Sequence, residues 1–464
     1  MDVTSPKQIS NSFNNYFCSV GENLAANIHN NKTDFLKYCT TEVKESMFCT
    51  PVTPHEIQLL ALTFRVNKAP GPDNIGAKLL KCVLDKLLDP LVFIFNLSFN
   101  TGKVPESLKI AKVIPIYKKG ERTNPTNYRP ISLLSIFDKI LEKLMHKRLH
   151  SFLQQHTILH QYQFGFRKNH STIMALIELT DSLYLHIDNR DAIIGMYFDL
   201  QKAFDTVNHD ILLCKLQKYG IRGIVLDWFR DYLHNRKQFV SVGDIESDLG
   251  MISCGVPQGS VLGPLLFLIY VNDICNIGPE CNVRLFADDT NVFVFGKTMS
   301  DVFLKSNTIV AELNNWFIAN KLSLNVDKTC YSVFGNRSDD GCLSNVVKLN
   351  DISLTKVDSC KYLGVIIDSE LTWKMHIDYV YSKLLKFTSI FYKLRYKVSP
   401  PILRMLYFAF VHTQLLYGIE IYGSAAKSHL NKLIILNNKI LRIRLFKINQ
   451  YNTVSPIFTK ITRR

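Results

Sequence analysis

RLFADDTNVF, residues Arg284–Phe293, sets two adjacent aspartates between apolar arms. VRLFA and NVFVFG read as the two strands of a hairpin, with Asp288 and Asp289 at its tip. A bare Asp-Asp pair is more often a solvent-facing turn, since aspartate is common in turns. A second acidic strand end changes the weighting. AIIGMYFDL (Ala192–Leu200) is strongly β-forming and ends in Asp199. Only the fold can bring Asp199 to the pair, and three carboxylates at one sheet edge repel unless a cation neutralises them. Oxygen-only donors favour a hard ion, Mg²⁺ or Mn²⁺. Two such ions about 4 Å apart suit in-line phosphoryl transfer.

Other segments carry compatible chemistry. GVPQGSVLG (Gly255–Gly263) is a glycine-bearing turn that admits close backbone approach, and Gln258 offers an amide there. YKKG and NYRP supply Lys118, Lys119 and Arg129 as phosphate contacts; Arg129 is the sharper candidate, since paired lysines are usually just surface. Phe204 lies five residues beyond Asp199, where a turn can hold it over a sugar. Asp205 is expected to open and cap a helix and is not assigned to metal.

The chain has 464 residues, 47% hydrophobic, enough for two or three domains with a real core. The net charge of +15 suits a polyanion such as nucleic acid, although a merely basic soluble protein explains it equally well. Eleven cysteines are scattered without a CxxC pair or zinc-ligand spacing. With a polar start, MDVTSPKQIS, they read as reduced thiols of an intracellular protein, nuclear or cytoplasmic, without a clear targeting signal. The longest apolar run, VLGPLLFLIYV, is too short to span a membrane.

Along the chain, residues 1–50 are rich in Asn, Lys, Thr and Ser and read as a lightly structured lead-in. Thr53-Pro54 caps a helix, and another runs from Ala77 to about Phe95. Leu108–Gly120 contains a strand. SIFDKILEKLMHKRLHSFL is amphipathic, with Lys139, Lys143, Lys147 and Arg148 on its outer face, either solvated or touching nucleic acid. HDILLCKLQKYG is a helix capped by Asp210 and stopped by Gly220. KQFVSVG and MISCGVPQGS begin as strands, and PLLFLIYVNDI is a buried helix. A long helix covers DVFLKSNTIVAELNNWFIANKL. LSLNVDKTCYSVFG starts a further hairpin, KYLGVIID is a strand, and Leu371 to the end is helical and basic. The class is α+β, helical at its C-terminal end.

Taken in order, KAPGPD, AKVIPIYKKG, NYRPISLLS, QYQFGFRKNHST, YFDLQKAFDTVNH, GVPQGSVLGPLLFLIYVNDI, FADDT, NKLSLNVDKT and KYLGVIID resemble the reverse transcriptases of non-LTR retrotransposons of the jockey/LINE type. FNNYFCSVG looks like the segment that precedes the domain in such elements. The resemblance implies a right-hand polymerase: lead-in and first fingers helices over 1–97, fingers and palm over 98–368, helical thumb over 369–464. It implies RNA-directed DNA synthesis, with RNA template, DNA primer or target and dNTPs as partners and two Mg²⁺ or Mn²⁺ ions as cofactor. Asp199, Asp288 and Asp289 match the metal ligands, with Asp289 ranked third. Phe204 matches the aromatic gate that excludes a ribose 2′-hydroxyl, and Gln258 a glutamine of the nucleotide pocket. Lys118 and Arg129 match triphosphate-binding positions, and Lys328 a general acid on pyrophosphate. Tyr362, Leu363 and Gly364 match the primer grip.

Elements of this type usually carry an endonuclease ahead of the polymerase. The residues before Lys68 are too few for one, and no ribonuclease domain or zinc knuckle follows, so autonomous transposition is not expected of this chain. Two other readings stand beside the polymerase: a non-catalytic nucleic-acid-binding remnant, and an RNA-dependent RNA polymerase. The latter usually has glycine before the acidic pair and a polar gate, where Ala287 and Phe204 stand here.

Overall fold

The computed structural model describes residues 5–28, 34–278, 281–335 and 346–443. The expected helical end beyond residue 443, and the continuation of a hairpin past Gly335, lie outside the described residues. The architecture is mixed α and β. Among the described residues no helix is long and apolar enough to cross a membrane. Contacts divide the chain into two units: residues 1–166, 198–290 and 308–328 form the first, and 167–197, 291–307 and 329–464 the second.

The first unit holds a sheet in the order Tyr128–Leu133, Ile110–Tyr117, Lys237–Val242, Ile245–Glu246, with Gly250–Met251 also on Lys237–Val242. Ile110–Tyr117 pairs antiparallel with Tyr128–Leu133 and parallel with Lys237–Val242. MISCGVPQGS is therefore mostly turn, with a strand only at its head. The lead-in is not lightly structured: Pro6–Ala26 is a helix that packs Phe13 and Phe17 with Val113 and Val240. Its polar residues are used as well. Asn14 Nδ2 donates to the Asp248 carbonyl at 2.8 Å, and Ser10 Oγ to that of Ile245 at 3.2 Å. Thr53 caps Pro54–Thr63, as its sequence predicts.

The supposed outer face of Ile136–Gln155 is internal only in part, for Lys147 stays exposed. Arg148 is buried; its guanidinium donates to Glu56 at 3.0 Å and to the Thr50 carbonyl at 2.9 Å. Lys143 donates to Thr63 at 2.8 Å and lies over the Phe64 ring, while Lys147 pairs with Glu56 at 3.0 Å. These cations hold one helix to another.

The second unit is built on Ala192–Phe198, every residue of which is buried. Cys330–Phe334 runs antiparallel to it and carries Thr355–Lys356 in parallel on its other side. LSLNVDKTCYSVFG thus contributes a sheet strand joined to two neighbours. KYLGVIID is not one strand but two. Ser359–Tyr362 and Val365–Asp368 form an antiparallel hairpin with Leu363 and Gly364 at its tip, at φ 43° and 88°. Helices Lys374–Leu394, Pro400–Leu406 and Lys427–Arg442 follow, packed around Trp373, Ile377, Leu403, Tyr422 and Leu433.

Candidate active site

Asp199 leaves the end of a buried strand and is itself about half exposed. Its backbone carbonyl accepts from Asn325 N at 2.8 Å, and Gln201 N donates to the Ser323 carbonyl at 2.9 Å. That stitching brings the short helical turn Val326–Lys328 beside it, and Lys328 Nζ donates to Asp199 Oδ2 at 2.8 Å. Two distant motifs, YFDLQKAFD and NKLSLNVDKT, meet in one ion pair.

Asn282–Phe286 runs into a turn at Ala287 and returns as Asp289–Gly296. Ala287 takes a left-handed conformation, φ 57°, and its amide donates to Gln163 Oε1 at 3.1 Å. The same oxygen accepts from Gly165 N at 2.9 Å. Phe164 N and Leu285 N complete the clamp, donating to Leu285 O and Tyr162 O at 2.9 and 3.0 Å. QYQFGF is therefore the mould of the acidic turn.

Burial raises the Asp288 carboxyl, and the Asp199 charge raises it further, against a backbone hydrogen bond that lowers it. Asp289 is pushed up to about 6, by burial first and then by Asp288 and Asp199. Both side chains reach solvent, which screens part of this repulsion. The three aspartates are thus within electrostatic reach of one another, although among the described residues no three acidic, His or Cys side chains converge into a ready-made ion cage. The donor set, oxygen-only and mutually repelling, suits a hard divalent cation held by Asp199, Asp288 and Asp289.

Cations surround Asp199. Arg129 stands opposite Ile116 in the antiparallel pair, and Lys118 N bonds to the Asn127 carbonyl at 2.9 Å where that hairpin turns. The Lys118 ammonium is held below its usual range by partial burial, then by Arg129 and Lys328, against the pull of Asp199. Lys202, which sequence reasoning passed over, anchors the hairpin by donating to the Thr126 and Tyr128 carbonyls, both at 3.2 Å.

Phe204 stacks on Phe267 with centroids 4.5 Å apart and meets Phe166 edge-on at 6.1 Å. Helix His209–Lys218 is capped by Asn208, whose side chain accepts from Ile211 N at 3.0 Å; neither Asp205 nor Asp210 is the cap. Asp205 instead faces the GVPQGS turn, where its Oδ1 accepts from Gln258 Nε2 at 2.8 Å. Tyr362, Leu363 and Gly364 belong to the second unit, where the Tyr417 hydroxyl donates to the Leu363 carbonyl.

Comparison with known proteins gives the family. The chain is 31% identical over 418 residues to the RNA-directed DNA polymerase from mobile element jockey of Drosophila melanogaster, and 30% identical over 422 residues to the probable RNA-directed DNA polymerase from transposon BS of the same species. These alignments take in 88% and 87% of this chain but 45% of each relative, so the chain spans less than half of the proteins it matches. A more distant relative is the Pol polyprotein of the type-1 retrotransposable element R2 of Popillia japonica, 27% identical over 60% of this chain and 39% of that protein. Residues 116–367, more than half of the chain, match the family described as Reverse transcriptase (RNA-dependent DNA polymerase), and the chain belongs to that family.

Proposed function

We propose that the chain is an RNA-directed DNA polymerase of a non-LTR mobile element, extending a primer 3′-hydroxyl with dNTPs on an RNA template. The observation that carries this reading is the electrostatic coupling of Asp199, Asp288 and Asp289 inside a rim of Lys118, Arg129 and Lys328. Carboxylates and cations so interleaved suit a triphosphate and the reacting oxygens together.

In this reading Asp199, Asp288 and Asp289 hold two divalent ions. When bound, such ions lower the pKa of the attacking hydroxyl and steady the leaving phosphate. Lys118 and Arg129 orient the triphosphate from the strand pair, which acts as fingers. Lys328, which donates to Asp199 Oδ2, serves in this reading as the general acid on the departing pyrophosphate. Phe204, fixed on Phe267, crowds the 2′ position and favours deoxynucleotides. Tyr362–Gly364 grip the primer, and the basic helices beyond Leu371 act as the thumb along the duplex backbone.

Primer extension on an RNA template with dNTPs and Mg²⁺ tests the assignment. Product is expected from the wild type and none from Asp288→Ala. Folded wild-type protein without product, or undiminished product from Asp288→Ala, overturns it. RNA binding with salt dependence and no extension would point instead to a non-catalytic remnant.

A further inference from the structure

Asp205 has no place in the machinery above, yet its surroundings are unusually determined. Its Oδ1 accepts from Gln258 Nε2 at 2.8 Å. Its Oδ2 is sealed from solvent and has no hydrogen-bond partner among the described residues. A half-satisfied buried carboxylate is destabilising, so helix capping would be the ordinary excuse for it. Asn208 already caps that helix. Lys202, whose charge acts on it, donates instead to the Thr126 and Tyr128 carbonyls.

The backbone around the pair is already locked. Gly255 N donates to Val207 O at 2.7 Å, Val256 N to Phe204 O at 2.8 Å, and Ser132 N to Gln258 O at 2.7 Å. Gly255 has φ 86°, and any Cβ there would stand 2.8 Å from the Asp205 carbonyl oxygen, so the two turns touch backbone to backbone. What remains undetermined is which way round the Gln258 amide lies. Its two ends are nearly the same shape, and only hydrogen bonding distinguishes them. A carboxylate accepts and does not donate, so the end facing Asp205 has to be the NH₂ group.

We propose that Asp205 is a positioning residue that fixes the Gln258 amide, so that its carbonyl oxygen is the atom offered to the incoming nucleotide. This rests on the reading of Gln258 as part of the nucleotide pocket. It narrows what Gln258 recognises. A carbonyl oxygen needs a donor, a sugar hydroxyl or a base amine, and has nothing to offer the triphosphate oxygens.

The test is steady-state primer extension by the full chain with Asp205→Asn, Asp205→Ala, Gln258→Ala and Asp205→Asn/Gln258→Ala. Asp205→Asn keeps the shape, so it remains informative should Asp205→Ala fail to fold; melting and RNA binding of each variant check the fold. Gln258→Ala is expected to raise the dNTP KM about tenfold, the loss of roughly one good hydrogen bond. Asp205→Asn, whose amide can face Gln258 either way round, is expected to raise KM several-fold with kcat within about twofold, because only orientation is lost. In the double variant KM should equal that of Gln258→Ala alone. A wild-type KM in Asp205→Asn beside a raised KM in Gln258→Ala overturns the proposal, as do effects that multiply in the double variant. An unchanged KM in Gln258→Ala removes the reading of Gln258 itself and the proposal with it.

Discussion

Lys328 and Asp199 form the ion pair at the centre of the candidate site, 2.8 Å apart and both open to solvent. An exposed pair contributes little to stability, so its removal should be felt in chemistry and not in folding. Lys328→Met is expected to lower the single-turnover rate of primer extension about 100-fold, the scale of a lost general acid, with an unchanged melting temperature. Phe204→Ala should raise the use of ribonucleotides relative to deoxynucleotides, measured as the ratio of kcat/KM for matched pairs; a wild type that already uses both equally removes the gate from Phe204. The aspartates were legible as candidates because Asp199 and the Asp288-Asp289 pair each adjoin an apolar strand, a place where charge needs a reason. Gln163 and the partner of Gln258 were not, since those contacts join residues 124 and 53 positions apart. The cap was misread for a simpler reason. Asn208 and Asp210 are both good caps two residues apart, and only the backbone decides between them.

The hairpin around Leu363-Gly364 hid inside a run that looks like one strand, because its turn lacks the usual Asn-Gly or Asp-Gly signal. Both tip residues have positive φ, and a Cβ on Gly364 would come within 3.0 Å of the Tyr417 ring. Gly364→Ala should therefore destabilise the chain by about 1 kcal/mol in urea melts, with primer extension falling most at low primer concentration if this tip is the primer grip. The helix Pro6–Ala26 escaped notice for the opposite reason: its Asn and Ser content disguised a buried stripe of Phe13, Phe17 and Val20. Phe13→Ala is expected to lower stability by about 3 kcal/mol, read from the same melts. The basic face of Ile136–Gln155 shows where periodicity misleads, since Arg148 lies on the polar side of the helix and is nonetheless buried against Glu56 and the Phe99 ring.

Over the whole molecule, carboxylates of two kinds set the response to acid. Glu56 is held below its ordinary 4.5: burial pushes it up, and hydrogen bonds from Arg148 and Lys147 more than offset that. Asp231 is likewise lowered, by Lys109 and the Val104 amide against burial. For both, the folded chain binds fewer protons than the unfolded one, so their stabilisation is present above about pH 4.5 and is lost as pH falls through the lowered values. Asp205 and Asp289, raised to about 6, act oppositely and are relieved by acid. Melting temperature should therefore fall steeply only below about pH 4.5, and Glu56→Gln should flatten that fall. The same Asp and Glu residues are outnumbered by Lys and Arg to leave +15, and RNA affinity should drop linearly in log–log plots against salt. One pairing reaches beyond equilibrium. Ile110 lies parallel to Lys237, and the helix holding Phe13 rests on Val240. During synthesis that helix leaves the ribosome before residue 240 and finds its seat only after that residue has followed. Until then its apolar stripe stays uncovered, a natural target for chaperones on the nascent chain.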